Sequence, residues 1–237
     1  MSTQLGSRVD YYKANSKRKA APTYHVSLFR TLPGTDLLVK GTYKTGFKLP
    51  SIYQKYDATS GNEALEAEES ETRELSLSTQ IKKLELSTVF FDTSLTNKIA
   101  WTSKYHNIQE STYRGTEYAV QVRQWGVFDF LRLDYTELNA VDDNKPAKKV
   151  PDYKYSVSTG INHNKWSYGI FLVGESGKNE GAHGSAYNYT DVSVTYDYNQ
   201  KTSLFTKVHN LFDVDYETAK GYNEAGATLF FGLKRQL

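Results

Sequence analysis

The chain has 237 residues, 29 Lys and Arg against 27 Asp and Glu, and no cysteine. The near-balance of charge removes bulk attraction to nucleic acid, and the missing thiols exclude a disulfide scaffold, a thiolate metal site and a cysteine nucleophile. Tyrosine is abundant, 19 residues against 1 Met and 5 Pro, and it favours strands and sites with one apolar and one wet end.

Helical periodicity is scarce and period-2 alternation recurs, which predicts about twelve strands. They fall over 6–15, 23–32, 36–47, 72–82, 84–92, 113–124, 127–138, 153–162, 165–175, 189–198, 202–210 and 227–236. Leu75, Leu77, Thr79 and Ile81 oppose Glu74, Ser76, Ser78 and Gln80. Tyr118, Val120 and Val122 oppose Glu117, Ala119, Gln121 and Arg123. Leu131, Leu133 and Tyr135 oppose Arg132, Asp134 and Thr136. Tyr153, Tyr155, Val157 and Ile161 oppose Lys154, Ser156 and Ser158, and Val192, Val194, Tyr196 and Tyr198 oppose Asp191, Ser193, Thr195 and Asp197. In the last strand Leu229, Phe231, Leu233 and Leu237 share a face that Arg235 interrupts.

The joints sort by length. Tight turns are expected at 32–36, 82–83, 124–126, 163–164 and 199–202, and long loops between them at 48–71, 93–112, 139–152, 176–188 and 211–226. Outer-membrane barrels have short periplasmic turns and long extracellular loops. The expected fold is therefore all-β: a portion of an antiparallel transmembrane β-barrel with both chain ends on the periplasmic side. Its apolar face would look at lipid, with girdles drawn from Tyr11, Tyr12, Tyr24, Phe47, Trp125, Phe128, Trp166, Tyr168, Tyr196 and Tyr198. The charges Arg132, Asp134, Lys154, Asp191 and Asp197 would line a lumen. No stretch of about 18 apolar residues offers a transmembrane helix, and barrel strands do not need one. A large soluble β-sandwich would alternate in the same way, but it would not sort its joints by length.

Chemistry-bearing clusters are few. The acidic run Glu63, Glu66, Glu68, Glu69 and Glu71 suits a solvated loop, or a loosely held divalent cation. The histidines 25, 106, 163, 183 and 209 show no zinc-ligand spacing. His183, between glycines in a long loop, is kept as a ligand-contact candidate. Ser185 and Asp191 near it lack a nucleophile elbow, so no catalytic residues are expected.

Asn210-Leu211-Phe212-Asp213-Val214-Asp215-Tyr216 resembles a C-terminal signature of TonB-dependent receptors. The run Glu217–Gly226 into the last strand resembles the cobalamin-transporting members. Tyr43–Tyr53, Glu68–Thr72 and Arg114–Glu117 are similar to further landmarks of that family, in order, while Ala227 stands where many members carry Arg and Leu237 where an aromatic residue is usual. The resemblance implies a barrel of about 22 strands around an N-terminal plug with a TonB box. Residues 1–237 are then expected to be the C-terminal part of such a barrel, with plug and signal peptide absent, no cofactor and no enzymatic activity. It further implies uptake of cobalamin or a similar large chelate such as a siderophore or haem. The implied partners are the TonB system through the plug, the remaining N-terminal barrel half, outer-membrane lipid and lipopolysaccharide, and no nucleic acid. The loop aromatics Tyr53, Tyr56, Trp101, Tyr105, Tyr187, Tyr189, Tyr216 and Tyr222 become candidates for stacking on the ligand; the alternative is girdle or loop packing. Two other classes fit the alternation: a passive outer-membrane channel or barrel enzyme of about twelve strands, and a soluble carbohydrate-binding module.

Overall fold

The computed structural model describes residues 1–14, 17–177 and 186–236. In chain order the strands are β1 (Ser2–Ala14), β2 (Lys17–Thr31), β3 (Leu38–Lys48), β4 (Glu68–Ile81), β5 (Leu84–Trp101), β6 (Tyr105–Trp125), β7 (Phe128–Asp142), β8 (Lys145–Pro146), β9 (Tyr153–His163), β10 (Trp166–Ser176), β11 (Ala186–Asn199), β12 (Thr202–His209), β13 (Glu217–Ala219), β14 (Tyr222–Asn223) and β15 (Thr228–Arg235); one short helix, α1, spans Ile52–Tyr56. Neighbours in sequence are neighbours in the sheet, which runs β1-β2-β3-β4-β5-β6-β7-β9-β10-β11-β12-β15, with β8 paired to β7 and β13-β14 a separate hairpin. Among the described residues no pairing joins β1 to β15.

The chain packs as two compact units: Met1–Leu77, Val89–Thr116 and Asn139–Ala147 form the first, and Ser78–Thr88, Glu117–Leu138 and Lys148–Leu237 the second. In the first unit Leu5, Val9 and Tyr11 of β1 share a face with Tyr24, Val26 and Leu28 of β2, through the pairs Leu5↔Val26 and Val9↔Pro22. In the second unit the register carries one apolar face across five strands: Ile161↔Tyr168, Tyr168↔Val194, Val194↔Thr206 and Thr206↔Phe231. These residues have little to bury against. Tyr168, Ile170, Leu204, Leu229, Phe231 and Leu233 are each more than 40 % exposed, while among the described residues of this unit the buried apolar side chains are Val173 and Tyr216. A soluble domain folds around a packed second layer; a sheet this apolar on an uncovered face needs a non-aqueous neighbour.

The tight joints form where expected. In the turn Leu32–Thr35, Gly34 takes φ +75° after Pro33 and the Thr35 amide donates to the Leu32 carbonyl at 3.2 Å, the geometry of a type II turn. Lys82, Gly126 and Asn164 take positive φ in the hairpin turns 82–83, 126–127 and 164–165, as the strand twist requires. Close strand approach is bought by glycine where rings lie across the ladder. A Cβ on Gly160 would sit 2.8 Å from the Phe130 ring, and one on Gly174 would collide with Tyr155.

Three expectations are corrected. Residues 93–112 are not a loop: β5 and β6, of 18 and 21 residues, continue to a three-residue joint at 102–104. A crossing needs about 9–11 residues, and beyond it both faces meet water, so alternation fades while the ladder still satisfies the backbone. The acidic run lies partly in β4 rather than in a loop, with Glu68 pairing Lys48 at 3.2 Å and accepting the Ile99 amide at 2.7 Å. The second strand, expected to begin at residue 23, begins at Lys17, which pairs Ala14 of β1.

Candidate functional site

The second unit gathers three of the predicted tyrosines on the polar face. Alternation along β11 puts Tyr187, Tyr189 and Asp191 together, opposite Glu175, Val173 and Phe171 of β10. Tyr216, from the segment after β12, folds over them. Its ring lies 4.6 Å from Tyr187 and 5.2 Å from Tyr189, the latter stacked at 15°. The Tyr189 ring meets the His209 imidazole edge-on at 5.0 Å, and the Tyr187 hydroxyl bonds Glu175. Burial, then the neighbouring Tyr189 phenol and the negative charges of Glu224 and Asp191, push the Tyr216 phenol above its ordinary value.

Asp191 organises the base of this cluster. Its Oδ1 accepts from His209 Nδ1 at 2.8 Å and from the Asn210 amide at 3.1 Å; its Oδ2 accepts from Lys207 Nζ at 2.8 Å. Asn210 is fully buried. It takes φ +52°, its Nδ2 donates to the Val214 carbonyl at 2.9 Å, and its Oδ1 accepts the Val214 amide at 3.0 Å. Asp213 Oδ1 accepts the Ala227 amide at 2.7 Å, just before β15. The Asn210–Tyr216 motif is thus a knot that turns the chain after β12 and holds Tyr216 in the cluster. The Leu211 and Phe212 side chains are exposed, while the Leu211 amide donates to the Thr190 carbonyl at 2.7 Å and ties the segment to β11.

The first unit holds the other group. Ser51 and Gln54 form a capping box at α1, the Gln54 amide donating to Ser51 Oγ at 3.1 Å and Gln54 Oε1 accepting the Ser51 amide at 2.8 Å. Asp57 ends the helix; its carboxylate accepts from the Ser60 amide at 2.9 Å, Ser60 Oγ at 2.8 Å and the Thr59 amide at 3.2 Å. These bonds, the Ser60 amide foremost, hold its pKa below the ordinary carboxylate value. The loop is stitched to the β5–β6 hairpin: Tyr105 donates its amide to the Ser60 carbonyl at 2.9 Å, and Asn107 bridges the Glu66 amide and the Asn97 carbonyl. Tyr53 packs edge-on against Tyr105 at 6.2 Å, and Tyr53, Tyr56 and Trp101 remain exposed. Trp101 and Tyr105 end and begin strands rather than lying in a loop.

Other candidates separate. Tyr222 is exposed on β14. His183 and Ser185 lie outside the described residues. Arg132 grips Asp134 through Nε and Nη2, at 2.8 and 2.5 Å, within the polar face. Ser27 Oγ stands 3.0 Å from His25 Nε2 and 2.9 Å from Thr42 Oγ1, but Ser27 is wholly buried and closed to any substrate. Sequence reasoning missed His209, Lys207 and Glu175 as partners of the cluster. It also missed α1, although Ser51-Ile52-Tyr53-Gln54 has the capping-box spacing.

Residues 2–211 match the family described as TonB dependent receptor-like, beta-barrel. The chain belongs to that family. It is an outer-membrane family of transport receptors, which places the protein in the outer membrane of a Gram-negative bacterium. Among curated relatives, the vitamin B12 transporter BtuB of Vibrio cholerae serotype O1 is 27 % identical over 238 residues, matching 94 % of this chain and 38 % of that protein. The BtuB of Photobacterium profundum is 24 % identical, matching 90 % and 36 %. The chain therefore spans well under half the length of these relatives. Among solved structures, the siderophore receptor PirA from Acinetobacter baumannii superposes with a TM-score of 0.78 at 17 % identity, over 99 % of this chain and 43 % of that one. The copper transporter OprC gives 0.77 at 14 %, over 92 % and 40 %. These structures share the fold.

Proposed function

We propose that the chain forms the C-terminal part of the barrel wall of a TonB-dependent receptor that takes up a large chelate, with cobalamin as the first ligand to test and siderophore or haem next. The observation that carries this is the stack of Tyr187, Tyr189 and Tyr216 on the polar face, at the long-loop end of β11 and held by Asp191, His209 and Asn210. Tyr187 and Tyr189, half-buried on a rigid strand pair and braced by the buried Tyr216, suit contact with a flat, partly apolar ligand. Tyr53, Tyr56, Trp101 and Tyr105 form a second candidate contact surface on a stitched loop; His183 and Tyr222 belong to the same proposal as loop contacts. The likeness to BtuB supports cobalamin, and the full transport cycle needs the plug and N-terminal strands that the longer relatives' length accommodates. In this reading the polar face lines the lumen, the short turns are periplasmic, and energy arrives through TonB acting on the plug.

The test is to express the chain together with an N-terminal barrel-and-plug segment and to measure binding of cyanocobalamin, a ferric siderophore and haem separately. Tyr187→Ala with Tyr189→Ala is expected to weaken the cognate ligand roughly tenfold or more, at about 1 kcal/mol or more for each aromatic contact. Unchanged binding by a correctly folded variant would remove the cluster from the ligand site.

A further inference from the structure

The second unit carries a charge asymmetry that the uptake reading does not use. Its turns 82–83, 164–165 and 200–201 hold Lys82, Lys83, Lys165 and Lys201 and no carboxylate, and β15 ends beside them at Lys234 and Arg235. All six side chains are exposed. The ladders put them at one end: Ser203 pairs Lys234, Trp166 pairs Tyr196, and the Arg123 amide donates to the Lys83 carbonyl at 2.9 Å. Of the nearby carboxylates, Glu85 is held by Arg123 at 2.6 Å and Asp129 by the Asn162 amide at 2.6 Å, while Asp197 is exposed beside the lysines and lowers the net positive charge there by one. At the opposite end of the same unit the signs are mixed, Lys148, Lys149, Lys154 and Lys220 standing among Asp152, Glu175, Asp213, Asp215, Glu217 and Glu224.

Large aromatics stand at the level of the lysines. Trp125 is 59 % exposed, Tyr198 62 % and Trp166 42 %. Two ammonium groups lie over this belt: Lys165 Nζ donates to the Tyr198 carbonyl at 3.2 Å and Lys83 Nζ to the Gln124 carbonyl at 3.3 Å. Each ammonium has three N–H donors, so the bond to a carbonyl leaves donors for an anion. Aromatic rings at the edge of an apolar face mark the depth of the membrane interface, and lysines at that depth meet headgroup phosphates.

We propose that the short-turn end of this unit is a cationic rim that binds the phosphate headgroups of anionic phospholipids in the periplasmic leaflet. The proposal rests on the barrel reading, which makes these turns periplasmic. An acidic polypeptide would meet the same charges, but the exposed aromatic belt beside them favours lipid.

The chain, together with the N-terminal barrel-and-plug segment, is folded from detergent into phosphatidylcholine vesicles and into vesicles that also contain phosphatidylglycerol, and insertion and partition are read by protease protection. The rim variant carries Lys82→Asn, Lys83→Gln, Lys165→Gln and Lys201→Gln, with Asn at 82 because φ there is +56°. Lys148→Gln with Lys154→Gln is the control at the other end. Wild type and control are expected to favour the anionic vesicles, with a preference that falls as salt rises; the rim variant is expected to lose it by roughly fivefold per lysine removed. Insertion into both vesicles without preference overturns the rim and leaves the barrel reading standing. Insertion into neither overturns both. If a polyglutamate peptide or inorganic phosphate abolishes the preference at concentrations that leave control vesicles unaffected, the rim's ligand is an acidic polypeptide or free phosphate, and the lipid assignment fails.

Discussion

Asn210 shows how much one side chain can fix. Its amide group closes two bonds to Val214 and its own backbone N–H reaches Asp191, all from a left-handed conformation that Asn tolerates better than most residues. Asn210→Ala is expected to destabilise the folded chain by about 2–4 kcal/mol, from stranded buried partners plus backbone strain. Asn210→Gly should be milder by about 1 kcal/mol, since glycine removes the strain alone. Denaturant unfolding in a fixed detergent measures both; equal losses would show that strain plays no part. Asp57 makes a pH prediction. Its folded pKa lies below the ordinary value, so its stabilisation is complete above about pH 4 and lost as pH falls through the folded pKa. The protection factors of the Thr59 and Ser60 amides against hydrogen exchange should therefore fall as pH drops below about 4, and Asp57→Asn should show the lower protection at every pH tested. A pH-independent wild type would contradict this.

Among the elements, the strands of the second unit were legible because lipid contact imposes strict alternation, and each side chain's face follows from its parity. The register explains the glycines too. Gly174 on β10 pairs Tyr155 on β9, whose ring fills the space where a Cβ would stand. Gly174→Val is expected to cost about 1–3 kcal/mol by overpacking, and Tyr155→Ala in the same chain should recover part of it; an additive double variant would rule out direct contact. The joint at 102–104 was not legible. In the outer parts of β5 and β6 the strict alternation breaks at Thr96, Asn97 and Lys98, with Ile99 and Trp101 following, and their pairing is held by hydrogen bonds and by links such as Lys98 to Asp142 at 2.7 Å. The short pieces α1, β8, β13 and β14 bury too little to leave a periodic trace.

At the scale of the molecule, the uncovered apolar face dominates. A sheet with Phe231 83 % exposed and Leu229 64 % exposed is expected to need detergent or lipid. Sedimentation after detergent removal should show aggregation; a soluble monomer with a cooperative melt in plain buffer would refute the membrane reading. Because the chain matches less than half the length of its curated relatives, a complementary set of strands is part of the proposed working receptor.

Alternation and joint length, properties of the sequence by itself, determined that the protein is a meander of antiparallel strands with one apolar and one polar face. That information is local: parity along a strand tells which solvent a residue meets. The motif Asn210–Tyr216 was also visible, but not its purpose. Only the tertiary structure decided that Tyr216 returns onto Tyr187 and Tyr189, that Asp191 joins His209, Lys207 and Asn210, and that Tyr53 and Tyr105 meet across a stitched loop. Those contacts depend on register and on the path of the long connections, where both faces meet water and the sequence carries no period.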